Sequence, residues 1–525
     1  MKKINKKKEI ILVLGLLLSS IFFNQYYGNI GIQPIDSFFS FNSGYDVLNG
    51  HFPFKDYWTI TGPFMDIVQA FFFKVFGVSW FSYVFHASVF NFIFTIFFFY
   101  VLRKFKLNIN YCFLYSLFLS LLAYPSAGTP YVDHQSSYTS VMAVFCFILA
   151  LQTNSKLWWF VLPIVFGISF LTKQTPTGYI FLVISFLSLI HFIFNFDVKK
   201  IMMGFAGSLL ILAIFFTFMF LGEVPLESFI DQYILFPVSL GGTRVAEGFL
   251  FPLEFERVVL RFKLIHISTI ILFIVVIKNL IHNYKYLVSN EALTIFSLIG
   301  LIFSLISHQL MTVNGIYIYF LIPVLLGFSH IYSLKYFKDK TYIVYLLIFL
   351  GASSTIYYGY KYINKRNFMD LHNANLSKAI DSKFFDKKLR GLKWITPQQP
   401  NDPKTEMLKL EEAIQIIKND NSSKVIVTDY QFISVILSFY DNSPNKVWYS
   451  RHVYPSKRNK YFSIYKKFFI EKIKDKKIKT IYIVKPMFGV HDALKDVLDT
   501  ECVSTIIVNE ILEKHLIKKC NQMLE

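Results

Sequence analysis

Residues 33–66 read QPIDSFFSFNSGYDVLNGHFPFKDYWTITGPFMD and carry Asp36, Asp46, Asp56 and Asp66. A carboxylate can take a proton from an attacking hydroxyl, orient that hydroxyl, or cap a helix. YPSAGTPYVDHQSSYTS (124–140) holds adjacent Asp133 and His134. That pair suits an acid role or a helix cap. Two neighbours alone are a weak signal for a divalent ion, which needs further ligands. FLTKQTPTGY (170–179) sets Lys173 and Gln174 before a proline break. The lysine either contacts a phosphate or snorkels to the membrane surface. Arg244 follows the Gly241–Gly242 pair and is a candidate phosphate clamp or a solvated loop charge. SHQLMTVNGIYIYFLIP (307–323) adds the polar residues His308, Gln309 and Asn314.

The elements that must position these residues are apolar. The chain has 525 residues, 54% of them hydrophobic and 19% aromatic, with 60 phenylalanines. That composition, in long runs, implies an integral membrane protein. A span needs about 20 apolar residues. Eleven segments qualify: 9–27, 80–102, 110–124, 136–152, 157–172, 176–195, 201–221, 264–282, 291–310, 315–333 and 341–359. Those at 110–124, 157–172 and 315–333 are short. The first has a basic start but lacks a small-x-small cleavage site, so it reads as an uncleaved span.

The net charge of +19 has no basic reading helix or zinc motif behind it. It reads as membrane topology, not nucleic-acid binding. With a cytoplasmic N-terminus, every inside loop is basic: Arg103/Lys104/Lys106, Lys156, Lys199/Lys200, Lys278 to Lys285, and Lys335/Lys338/Lys340. The outside loops carry the carboxylates. Asp36, Asp133, Lys173 and the His308 group then share the outer side. This common sidedness of ionisable groups is the physical argument for a site.

Beyond residue 360 the chain changes character, which divides it into a membrane domain (1–360) and an outside domain (361–525). Strand-like runs at 424–429, 480–486 and 503–508 alternate with helical patterns at 404–418, 458–476 and 490–498. The expectation is a soluble α/β domain with a mostly parallel sheet. It has 30 Lys/Arg against 19 Asp/Glu and no phosphate-cradling glycine motif. Its basic excess reads as a solvated surface or a contact for anionic lipid or glycan. Cys112 and Cys146 fall in apolar runs; a Cys502–Cys520 disulfide is open but not indicated by spacing.

Within the first outside loop, Phe38, Phe41, Tyr45 and Leu48 mark one helix face, with Gly50 as a stop. Phe64, Ile67, Val68, Phe71, Phe72, Val75 and Phe76 mark a second helix, opened by Pro63 and closed by Gly77. Two surface helices joined by an aromatic turn are expected. Asp36 is placed as the N-cap of the first.

This loop resembles the first loop of GT-C glycosyltransferases. More narrowly, it is similar to the bacterial branch related to protein O-mannosyltransferases and the lipid A aminoarabinose transferase. The shared features are an acid after the first span, a helix ending LNGHFPFKDYW, a Gly-Pro turn, and AFFFKVFG. The sequence departs from the family where Ser37 replaces a glutamate and where Thr61-Gly62-Pro63 replaces Lys-Pro-Pro. The match in architecture runs over about 9–360, and the motif match is confined to 33–77.

The resemblance implies a polytopic α-helical fold and transfer of a hexose or pentose from a polyprenyl-phosphate donor. The acceptor would be a cell-envelope glycan, lipid or lipopolysaccharide, on the outer face of a bacterial inner membrane. Asp36 would be the base or the acceptor-orienting acid, and Asp133 a second site acid. Asp56, Tyr57, His134, Lys173, Gln174, Arg244, His308, Gln309 and Asn314 would contact substrate. The resemblance makes no cofactor certain, and a divalent metal stays an option.

Two other classes fit part of the pattern. A lipid-linked glycan flippase or transporter calls for mid-membrane charges and internal repeats, and neither is seen. An O-antigen-type polymerase or ligase would rest on a large outside loop such as 222–262.

Overall fold

Each of the eleven apolar runs forms a helix in this computed structural model, which describes residues 6–123, 128–246, 254–312, 318–337, 340–440, 443–448, 453–486, 490–498 and 500–518. Among the described residues, eight helices are long and apolar enough to cross a membrane, beginning with Lys6–Tyr27 and Trp80–Lys104. Ile109–Leu122, Lys156–Phe170 and Leu321–Tyr336 have 14, 15 and 16 residues, short of the roughly 20 a span needs. These are the three runs that the sequence marks as short.

The chain divides into two compact units, and they are not consecutive blocks. The first comprises 1–28, 87–215 and 244–368; the second comprises 29–86, 216–243 and 369–525. The sequence places a boundary near 360. In space, the first outside loop belongs to the same unit as the C-terminal region.

The membrane unit is built around Val132–Thr153, whose side chains are buried without a break from Asp133 to Leu151. Burial on all faces explains why this helix shows no polar stripe. Small hydroxyl residues carry its contacts: Ser140 bonds Ser169 at 2.7 Å, and Ser169 donates to the Ser136 carbonyl at 2.8 Å. Such residues let apolar helices approach closely while their hydroxyls stay paired. The helix ends at Asn154, which takes up a left-handed conformation with φ of 52°. Cys112 and Cys146 are buried free thiols.

In the other unit a four-stranded sheet forms the frame. Lys424–Thr428 and Thr480–Val484 are parallel neighbours, with Ile426 opposite Tyr482. Leu512–Ile517 then pairs antiparallel with Thr480–Val484 and with Val503–Ile507. The sheet is therefore mixed, with two antiparallel pairs to one parallel, correcting the expectation of a mostly parallel one. Leu512–Ile517 reads LEKHLI, too charged to stand out as a strand. It follows its neighbour Val503–Ile507 after a short turn, and so short a connection permits only an antiparallel return.

The two parallel strands are buried on both faces, and their period-two alternation sorts their side chains. Val425, Val427, Ile481 and Ile483 face Tyr465 and Phe469 of the helix Phe462–Asp475. Ile426, Tyr482 and Val484 join Met407, Leu410 and Ile414 of the helix Pro403–Asn419. The same second cluster takes in Phe38, Phe41, Trp80 and Tyr83, so the loop's aromatic residues extend the domain core. Cys502 is disulfide-bonded, and Cys520 lies outside the described residues.

Candidate functional site

Asp36 sits in a four-residue helix, Pro34–Ser37, that Gln33 opens without a side-chain cap. Asp36 lies in the first turn, with its amide on the Gln33 carbonyl at 3.0 Å, so it is not the N-cap. The chain breaks at Phe38 and resumes as Phe39–Leu48. The break lets Phe38 stack on Trp394 and pack on Phe432, with ring centres 6.1 and 5.0 Å apart. Phe39–Leu48 is buried from Ser40 to Asp46, not laid on a surface. The helix Phe64–Phe76 does keep an exposed apolar stripe of Ile67, Phe71 and Val75.

The carboxylate that matters next to Asp36 was not apparent in the sequence. Asp429 follows the last residue of the strand Lys424–Thr428 and is only 7% exposed. Burial, then the charge of Asp36, push its carboxyl up to about 7. A charged acid raises the cost of ionising a buried neighbour, so the pair holds a proton near neutrality. Acids whose environments separate their proton affinities are suited to acid–base work. The legible signal was KVIVTDY: an acid at the C-terminal end of a buried strand, where α/β sheets commonly place ligand-binding residues.

The other three aspartates are spent on structure. Asp46 is ion-paired with Lys446, and both are buried. The Lys446 ammonium lies 4.8 Å from the centre of the Tyr57 ring. Tyr57 is wholly buried and donates to Asp66 at 2.8 Å, and Ser43 donates to the same carboxylate at 2.5 Å. Burial raises the Asp66 carboxyl to about 6, against the lowering effect of those two hydroxyls. Asp56 accepts the Phe52 amide at 2.7 Å and faces Lys472 at 3.8 Å, which closes the aromatic turn. Tyr57 and Asp56, expected at substrate, therefore have structural partners here.

In the membrane unit, Asp133, Lys173 and His308 come together from three separate helix ends. Asp133 lies in the first turn of Val132–Thr153, which Tyr131 opens without a side-chain cap. Its carboxylate instead meets the Lys173 ammonium and, at 3.2 Å, the His308 Nε2. Lys173 belongs to the turn between Lys156–Phe170 and Thr177–Phe194, and His308 to the last turns of Asn290–Thr312. An acid at a helix start and a basic ring near a helix end both sit where the helix dipole favours them. His134 points elsewhere, packing on Tyr138 with ring centres 5.9 Å apart. The Gln174 carbonyl accepts the Gly178 amide at 2.8 Å, and Gln309 is buried.

Against known proteins the chain stands apart. No protein-family model matches it, and no curated protein does. Among solved structures it is similar to the Archaeoglobus fulgidus oligosaccharyltransferase in complex with Zn and sulfate. The identity is 12%, over 90% of this chain and 67% of that one, with a TM-score of 0.39. A likeness that slight decides neither fold family nor activity.

Two expected residues stay without a placed side chain. Arg244 falls in the helix Phe236–Ala246, and Asn314 lies outside the described residues. Among the described residues, no three His, Cys, Asp or Glu gather as a metal would require.

Proposed function

We propose that this chain is a membrane glycosyltransferase of the GT-C type that moves a sugar from a polyprenyl-phosphate donor to an acceptor hydroxyl of the cell envelope. The observation that carries the reading is Asp36. It is the acid the family resemblance assigns, half-buried at the start of the loop and electrostatically coupled to Asp429. Asp36 takes the acceptor proton as the acceptor oxygen attacks the anomeric carbon. The bond from that carbon to the phosphate oxygen breaks, and polyprenyl phosphate leaves with the electron pair. Attack opposite the leaving group inverts the anomeric configuration. Asp429, protonated near neutrality, offers a hydrogen bond that a second carboxylate could not.

The leaving phosphate calls for cations or amide donors. The family resemblance also counts Lys173 as a substrate contact; within its own unit its ammonium is held by Asp133, which His308 contacts in turn. The lysine pattern favours the outer face for the reaction, and the family resemblance favours a bacterial inner membrane. The test is transfer from a labelled polyprenyl-phosphate sugar in membranes containing the Asp36→Asn chain. Loss of transfer with normal chain levels supports the reading; full transfer overturns it. Comparing envelope glycans with and without the gene identifies the acceptor.

A further inference from the structure

Arg366 is a buried cation without a counter-charge. It is 1% exposed, and its Nε, Nη1 and Nη2 have no hydrogen-bond partner among the described residues. The one titratable group its charge meets is the Tyr27 phenol, and no carboxylate contributes. Its backbone is left-handed, with φ of 47°, a conformation that non-glycine residues hold only where the surroundings impose it. A guanidinium taken out of water unpaired is among the costliest arrangements a fold can contain. The arrangement is sensible if an anion completes it.

The surroundings set the depth and chemistry of that anion. Arg366 follows the end of the last long apolar helix, through the π-helical turn Gly359–Asn364. The Tyr27 hydroxyl, at the end of the first, donates to Asn364 at 3.3 Å, so the two helix ends lie on one side. Exposed Tyr26 on one end and Tyr357 and Tyr360 on the other make an aromatic rim of the kind that marks lipid-headgroup depth. Lys361 and Lys365 flank the arginine and rest over tyrosine rings at 5.3 and 5.8 Å, with no carboxylate partner among the described residues. No acid occurs from 360 to 369. On the orientation read from the lysine pattern this is an outer loop, where such a cluster breaks the trend of cation-poor outside segments.

We propose that Arg366, with the Tyr27 hydroxyl, forms a binding site for the phosphate of a lipid headgroup. The planar fork presents paired donors that match two phosphate oxygens. The inference stands apart from sugar transfer and holds for a membrane protein of any activity.

The test uses the full chain in neutral detergent, read by its thermal midpoint. Phosphatidylglycerol, polyprenyl phosphate and inorganic phosphate are added separately. The expected result is a rise of about 2–3 °C at a hundredfold excess over Kd with a phosphate lipid. The lipid that produces it identifies the source; a shift with inorganic phosphate alone overturns the lipid assignment. Arg366→Met is expected to abolish the shift while being no less stable than the wild type without lipid. A variant that responds to lipid as the wild type does, or a wild type that responds to no phosphate compound, overturns the proposal. Should Arg366→Met not accumulate, Arg366→Lys keeps the charge and loses the fork. It should weaken binding about tenfold, and unchanged binding would count against the site.

Discussion

Asp133 and Asp36 are both acids at helix starts, the first buried and the second half-buried, and different charges act on them. Asp133 is met by a lysine and a histidine. Asp36 faces a second acid, Asp429, which burial and that charge hold protonated to about pH 7. A carboxylate answered by cations is fixed in charge and position. A carboxylate whose charge reaches a buried, largely protonated acid has a proton donor within its electrostatic field, which suits acid–base work. The difference favours Asp36 as the reacting group and Asp133 as the one that places a lysine.

The comparison can be broken at several points. The largest effect is expected from Asp36→Asn, which should lower sugar transfer by about 10²–10⁴-fold if the acid acts as base. Asp133→Asn with an equal loss, and no change in donor KM, would erase the distinction between the two acids.

Lys446→Met should come next, because it removes the cation from a buried carboxylate. With Asp46 left buried without its lysine, a cost of about 3–5 kcal/mol is expected in denaturation of the purified chain. Replacing both partners, Asp46→Leu with Lys446→Met, should recover most of it.

Asp429 supplies a pH signature. Its carboxyl titrates near the usual carboxylate range in the unfolded chain and near 7 in the folded one. Between about pH 4 and 7 the folded state keeps a proton that the unfolded state has lost, so stability falls as pH rises through that window and levels off above it. The total is up to about 4 kcal/mol at 1.36 kcal/mol per unit. Asp429→Asn should flatten the profile and be the more stable protein at pH 8. A profile with the wild-type slope would remove Asp429 from the pair. The smallest effect is Lys173→Met, where His308 still answers Asp133; about 1–3 kcal/mol is expected from thermal unfolding.

Helix positions were legible because apolar runs of span length admit few alternatives. The short runs at 110–124, 157–172 and 315–333 are also the short helices. Strand direction was not, since a β-branched run such as KVIVTD carries the same side-chain pattern in either sense. Asp36 was legible through its motif, but its role as a cap was not borne out, because Gln33 opens the helix. KVIVTDY marks Asp429 as an acid ending a strand, but its link to Asp36 comes only from the fold. Nearly 400 residues separate it from Asp36, and no local spacing connects them. For the same reason the Asp46–Lys446 pair could not be read: each looks like an ordinary surface charge until both are buried.

The unit containing Asp36 is assembled from residues 29–86, 216–243 and 369–525. Its first piece leaves the ribosome long before its last. Throughout most of synthesis, Phe38, Phe41 and Trp80 lack the aromatic partners Trp394 and Phe432, and Asp46 lacks its lysine. Completion waits for contacts between the chain's two ends, which close slowly. A shortened product ending near 360 would therefore present an unfinished loop of bare rings and lone acids. Quality control should recognise it as misfolded, and the C-terminal region is better regarded as the second half of the loop than as an appendage to it.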